Sequence, residues 1–247
     1  LAKLDKSQYT KEEWIKVRAE RKAKKANNRK VKELAQTNRT ADVIKPSWVI
    51  SKPKNKIAFV LGNGTSRSNI DHTQLSDNGI IYGCNALYRE FEPDYLVAVD
   101  TKMILEINKA GYQHSHNVWT NPNRSFNGIN GFNFFNPSKG WSSGPTALWL
   151  ASTHSAEDIY ILGFDYQGIN DKINNVYAST PNYKKSNERA TYHGNWLKQT
   201  CITCQKFSQK RYIRVVGENA FIPKEFSKID NLSHITVEEF KKIFNIS

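Results

Sequence analysis

The sequence predicts an α/β domain with a mainly parallel sheet flanked by helices. Three observations lead there. Short apolar runs that end at glycine or at a polar residue recur between residues 57 and 217, and stretches of helical character separate several of them. The charge that dominates the composition lies outside that region. The 247-residue chain has a formal net charge of +13, but residues 1–56 hold 17 Lys and Arg against 6 Asp and Glu, and the remainder holds 19 against 17. A basic arm therefore precedes a nearly neutral domain of ordinary size, and the basicity is not a nucleic-acid footprint spread over the whole molecule.

The arm comes first. Thr10-Lys11-Glu12-Glu13 has the form of a capping box, and residues 11–36 run without Gly or Pro, rich in Ala, Lys, Arg and Glu. Its apolar residues, Trp14, Ile15, Val17, Val31 and Leu34, make no continuous stripe, so such a helix builds no core alone. The expected organisation is a basic helical arm over 1–37, an extended linker over 38–56 containing Pro46 and Pro53, and an α/β domain over 57–247. Two readings of the arm stay open: a solvated extension, or a dock for an acidic partner such as nucleic acid, a virion or ribosomal surface, or an anionic membrane.

Within the domain, Ile57–Leu61 reads as a strand buried on both faces. Residues 79–83 and 95–99 supply the next two strands, 101–111 a helix, 118–119 a short strand and 129–136 another. Residues 144–155 follow as a helix and 159–163 as a core strand. A polar segment over 167–195 is read as a lid. A helix over 195–209, a strand over 213–217 and a closing helix from Thr236 complete the pattern, and there are no internal repeats.

Composition removes several classes. No apolar run reaches the roughly 18 to 20 residues that cross a bilayer, and the polar start lacks a secretory signal's apolar core. A soluble, cytoplasmic protein is expected. The high Asn and Lys content suits a phage-encoded protein, which would be virion-associated. The three cysteines, Cys84, Cys201 and Cys204, form no disulfide framework, and Cys201-x-x-Cys204 falls inside a helical pattern without a second ligand pair.

Ligands of a parallel α/β sheet bind beyond the carboxyl ends of its strands. There the sequence places Gly62-Asn63-Gly64-Thr65-Ser66, Cys84-Asn85, Asp100, Trp141-Ser142-Ser143-Gly144 and Gly163-Phe164-Asp165-Tyr166. The two glycines of the first loop let a backbone approach a ligand, and a helix begun at Ser66 and reaching Leu75 would favour a phosphate. The dinucleotide fingerprint is not met, because Ser68 stands where its third Gly belongs and no acidic residue closes the second strand.

Over about residues 57–217 these motifs, in this order, resemble the bacterial CMP-sialic-acid-dependent sialyltransferases. A related pattern occurs in a Rossmann-like family that includes a hydroxymethylpterin pyrophosphokinase. The resemblance implies a Rossmann-like fold, a CMP-sugar donor as substrate and no required metal or other cofactor. Asn63, Asn85, Ser142, Ser143 and Gly144 are the donor-binding positions so implied, and Gly64, Thr65, Ser66, Asp165 and Tyr166, at the same strand ends, are candidates beside them. The family's lid carries Tyr-x-x-His, with the Tyr on the leaving phosphate and the His as general base. Thr191-Tyr192-His193-Gly194-Asn195 supplies Tyr192 for the Tyr, but Asn195 takes the place of the His, and His193 stands two residues early.

Chemistry bounds the candidates independently. Sugar transfer needs an acceptor hydroxyl deprotonated by a base with a pKa near working pH and a neutralised leaving phosphate. His193 and Asp100 are candidate bases, and Lys184, Lys185 or Arg189 a phosphate clamp. The remaining histidines, at 72, 114, 116, 154 and 234, are read as structural or surface residues. Three functions follow: a glycosyltransferase-like enzyme; an inactive binding or structural protein docked by its arm; or a pyrophosphokinase-like transferase in which Asp100 would hold Mg2+ with ATP.

Overall fold

The computed structural model describes Thr10, residues 56–126 and residues 128–246. The expectations for the arm over 1–37 and the linker over 38–56 lie outside these residues, Thr10 and Lys56 apart. The chain divides into two units, one of residues 46–122 with 128–247 and one of residues 1–45 with 123–127. In the second, the described part is Thr10 and a turn containing the 3-10 segment Arg124–Phe126. The sheet and the site belong to the first.

Eight strands are described: β1 (Ile57–Leu61), β2 (Ile80–Cys84), β3 (Tyr95–Val97), β4 (Val118–Thr120), β5 (Asn133–Phe134), β6 (Asp158–Leu162), β7 (Arg211–Val216) and β8 (Leu232–Thr236). They form one all-parallel sheet in the order β5-β4-β3-β2-β1-β6-β7-β8. From β1 the chain builds outward through β2 to β5, then returns to the other side of β1 with β6. The switch point therefore lies between β1 and β6, the edge of such a sheet at which ligands bind. The α-helices among the described residues are α1 (Thr101–Ala110), α2 (Ser143–Thr153), α3 (Gly194–Lys206) and α4 (Val237–Phe244). This is the α/β, Rossmann-like parallel sheet the sequence predicts.

The strand period explains the core. Ala58, Val60, Ile159 and Ile161 point to one face and join the main apolar cluster with Ala147, Leu148 and Ala151 of α2. The alternate residues Phe59 and Tyr160, paired across β1 and β6, point to the other and meet Phe240 and Phe244 of α4 at ring separations of 4.9 to 6.0 Å. Burial on both faces is why β1 reads as an unbroken apolar run. Thr236 starts α4 with a complete capping box to Glu239.

Several boundaries differ from expectation. Over 66–75, where a helix would have favoured a phosphate, the chain forms two 3-10 turns, Thr65–Arg67 and His72–Leu75. Side chains divert the backbone there: the Asp71 carboxylate accepts from Thr73 N at 3.0 Å and from Thr73 Oγ1 at 2.6 Å, and Arg67 turns inward to donate to the Gly62 carbonyl at 2.7 Å. The strand expected over 129–136 contracts to Asn133–Phe134. β8 is an addition, paired with β7 over five residues.

Candidate functional site

A cavity of about 530 Å3 opens at the carboxyl ends of β1, β2, β3 and β6, a size usual for a small-molecule site. Asn63, Gly64, Asn85, Asp100, Ser142, Ser143, Gly144, Asp165 and Tyr166 all line it. Thr65 and Ser66 do not. Neither do Tyr192 and His193, although their neighbours Thr191 and Asn195 do. Of the three candidate phosphate clamps, Lys184 lines the cavity and Lys185 and Arg189 do not.

The floor is backbone against backbone. Gly62 N donates to Leu162 O and Gly64 N to Gly163 O, both at 2.8 Å, extending the β1–β6 pairing past the strand ends. A Cβ on Gly62 would stand 2.6 Å from the Gly163 carbonyl oxygen, and one on Gly64 would fall onto the Asp165 carboxylate. Gly163 sits at φ +67°, so a side chain there would be strained and would meet the Gly62 carbonyl. The glycines of the first loop thus allow the neighbouring loop to approach, a role the sequence reading gave to a ligand.

Several predicted donor-binding groups are spent on the same join. The Asp165 carboxylate accepts from Ser66 Oγ at 2.5 Å and Ser66 N at 3.2 Å, and Asn174 Oδ1 accepts from Thr65 N and Oγ1 at 2.9 and 2.7 Å. Ser143 Oγ accepts from Val99 N at 3.1 Å, fastening the start of α2 to the end of β3. Tyr166, at φ +55°, holds a conformation unusual for a bulky residue; its hydroxyl shares a hydrogen bond with Thr200 Oγ1 at 2.7 Å, and the Arg214 guanidinium lies 5.1 Å from its ring.

Other groups keep capacity for a ligand. Asn85, which turns the chain out of β2 at φ +53°, has a buried Oδ1 with no hydrogen-bond partner among the described residues. Asp100 lines the cavity, solvent-accessible, and desolvation raises its carboxyl above the usual range. No side chain caps the start of α2, which faces the cavity through Ser142, Ser143 and Gly144. The Cys84 thiol is buried and pushed up to about 12, so it is a neutral donor to Asn63 Oδ1 at 3.5 Å and no nucleophile at neutral pH.

The connection between β6 and α3 makes the remaining wall. Tyr183 Oη accepts from Asn63 Nδ2 at 3.2 Å and Ala86 N at 3.3 Å. Buried Arg67 donates to Tyr177 Oη at 2.9 Å and to Glu90 at 3.2 Å, and Tyr177 Oη donates to Glu90 at 2.5 Å. His72 contacts the same guanidinium; burial first and the Arg67 charge second hold its imidazole down to about 4. Arg89 pairs with Glu106 and donates to Thr180 Oγ1 at 2.9 Å and Pro181 O at 3.0 Å.

The lining is rich in amides. To Asn63 and Asn85 it adds Asn174, Asn175, Asn182, Asn195, Gln167 and Gln199, with Trp141, Trp196 and Tyr183 as aromatic surface. Its charged side chains are Asp100, Asp165 and Lys184. Gln167, Asn174, Asn175 and Gln199 were not singled out in the sequence; the density of amides over 167–199 was the available signal. Among the described residues no group of three His, Cys, Asp or Glu side chains is placed to hold a metal ion, and Cys201 and Cys204 are unpaired residues of α3. No described helix is long and apolar enough to cross a membrane.

Compared with protein-family models, with curated proteins and with solved structures, the chain matches none.

Proposed function

We propose that this domain is a nucleotide-sugar-dependent, sialyltransferase-like glycosyltransferase whose favoured donor is a CMP-sugar. The observation that carries the reading is the buried, unpartnered Asn85 Oδ1 in a cavity lined by neutral amides and aromatic rings at the switch point of the sheet. Such a lining suits a hydroxyl-rich ligand and a base, because amides donate and accept in pairs and rings supply flat apolar faces. Lys184 is the one cation on the wall among the described residues and would take the donor phosphate.

In the reaction, the acceptor oxygen bonds to the anomeric carbon as the bond from that carbon to the phosphate oxygen breaks, and CMP leaves with the electron pair. The acceptor proton passes to a base. Asp100 is that base here, because it lines the cavity with its carboxyl raised above the usual range by desolvation, while His193 lies off the cavity wall. Asn195, at the place of the family's His, cannot titrate.

Thermal shift with CMP, CDP, UDP, ATP and GDP, with and without Mg2+, tests the reading; a ligand at 100 times its Kd stabilises by about 2.7 kcal/mol. A CMP-selective shift with CMP-sugar turnover that Asp100→Asn abolishes is expected. Mg2+-dependent ATP binding would favour the pyrophosphokinase-like alternative, and CMP binding without turnover the inactive binding protein. The absence of any nucleotide shift sinks the donor reading. The basic segment 11–36 is read as a dock for an acidic partner, nucleic acid or a virion or ribosomal surface. Deleting residues 1–45 should then abolish salt-sensitive retention on that partner.

A further inference from the structure

Tyr192 and His193 lie off the cavity wall, and they are not isolated. Tyr192 is 76 % exposed. It stacks on His193 at 6.0 Å with planes 27° apart, and His193 meets the Phe221 ring at 5.9 Å. Phe221 and Ile222 are themselves exposed. Three rings in a row at the surface are unusual for residues that burial in water's absence would stabilise, and two features show that the row is built into the fold.

The first is Gly194. A Cβ at that position would fall onto the Tyr192 phenol, so the missing side chain lets the ring lie against the start of α3. The second is Arg214. This buried guanidinium donates to the Phe164 and Asp165 carbonyls at 2.8 and 3.2 Å and also to the Phe221 carbonyl at 3.0 Å. One side chain thereby fixes both the loop that floors the cavity and the loop that presents Phe221. The row also joins the cavity directly, because Thr191 and Asn195, on either side of the Tyr192-His193 pair in the chain, line it.

We infer that Tyr192, His193 and Phe221 form an acceptor subsite at the cavity mouth that stacks the apolar face of a saccharide ring. An exposed aromatic face flanked by a hydroxyl and an amide is the chemistry that holds a sugar: the ring takes the C–H face, and Thr191 and Asn195 take hydroxyls. The inference rests on the transferase reading for the name acceptor, but its binding chemistry is testable separately.

The test uses the labelled full chain on an array of oligosaccharides ending in galactose, N-acetylgalactosamine, glucose or sialic acid, with and without CMP, beside a single-stranded oligonucleotide. Retention of the wild type on a subset of saccharides is expected. Tyr192→Ala and Phe221→Ala should each weaken it by about 10-fold, a loss of one stacking contact, while Tyr192→Phe retains it. The CMP-induced thermal shift should be the same in Phe221→Ala, a residue off the cavity wall, as in the wild type. Saccharide retention unchanged in both alanine variants, no saccharide retained by the wild type, or Tyr192-dependent retention of the oligonucleotide instead would each overturn the inference. A CMP shift without saccharide retention removes the subsite and leaves the donor reading standing. Ring-dependent retention without a CMP shift does the reverse.

Discussion

The floor of the cavity and the connection between β6 and α3 that walls it are held by different kinds of bond. The floor is made of main chain: Gly62, Gly64 and Gly163 interlock, with hydrogen bonds of 2.8 Å and no room for a Cβ. The wall is held mainly by side chains reaching across the molecule, Arg67 to Tyr177, Tyr183 to Asn63, Arg89 to Pro181. A main-chain join has one geometry and gives way only when the strands part. Side-chain ties can be removed one at a time. Asn85 and Asp100 stand beside the floor, after β2 and β3, and Lys184 and Tyr183 stand on the connection between β6 and α3.

The sharpest way to break that contrast is Gly163→Ala. The added methyl meets the Gly62 carbonyl at a φ of +67°, and strain with overpacking should cost about 4 kcal/mol in urea denaturation. A loss near zero would mean the floor is pliable. Next is Arg67→Ala, which leaves Tyr177 and Glu90 without their guanidinium; about 3 kcal/mol is expected. Cleavage within residues 169–190 under limited proteolysis should rise with it, while β1 and β6 stay protected.

The third prediction sets pH against the wall. The His72 pKa in the fold, about 4, lies below its ordinary 6.5, so between the two the unfolded chain binds more protons. Stability from this group is complete above about pH 6.5 and declines as pH falls toward 4. The decline is about 2 to 3 kcal/mol, read from urea midpoints against pH, and it should shrink in Arg67→Ala because that charge contributes to the shift. The smallest effect is Tyr183→Phe. It removes the acceptor of Asn63 Nδ2 and Ala86 N, with a loss of about 1 kcal/mol and faster hydrogen exchange at the Ala86 amide.

What was legible in the sequence follows the same division. β1 was readable because Ala58, Phe59, Val60 and Leu61 are all fully buried, leaving no polar residue to blur the run. α4 was readable from Thr236 because a capping box is a local device. β8 was not, since its residues are only partly buried and its pairing with β7 supplies the order. The two 3-10 turns between Thr65 and Leu75 are not legible in the sequence, because inward-turned Arg67 and the cap at Asp71 act through contacts that propensity does not contain. In the site, Asn63, Asn85 and Asp100 were found because strand ends are predictable places. Tyr183 and Asn174 gain their positions from partners 120 and 109 residues away, and no periodicity records that.

The sequence alone determined the class of fold and the edge of the sheet at which polar groups gather, because apolar runs and glycine punctuation are local signals of burial and turning. Only the tertiary structure decided how those groups are used. It joined Gly62 and Gly64 to Gly163, closed Ser66 on Asp165, left Asn85 Oδ1 unpartnered and kept Tyr192 and His193 off the cavity wall. The physical reason is that a side chain's role depends on which partner meets it across the switch point, and that partner is set by packing between distant segments.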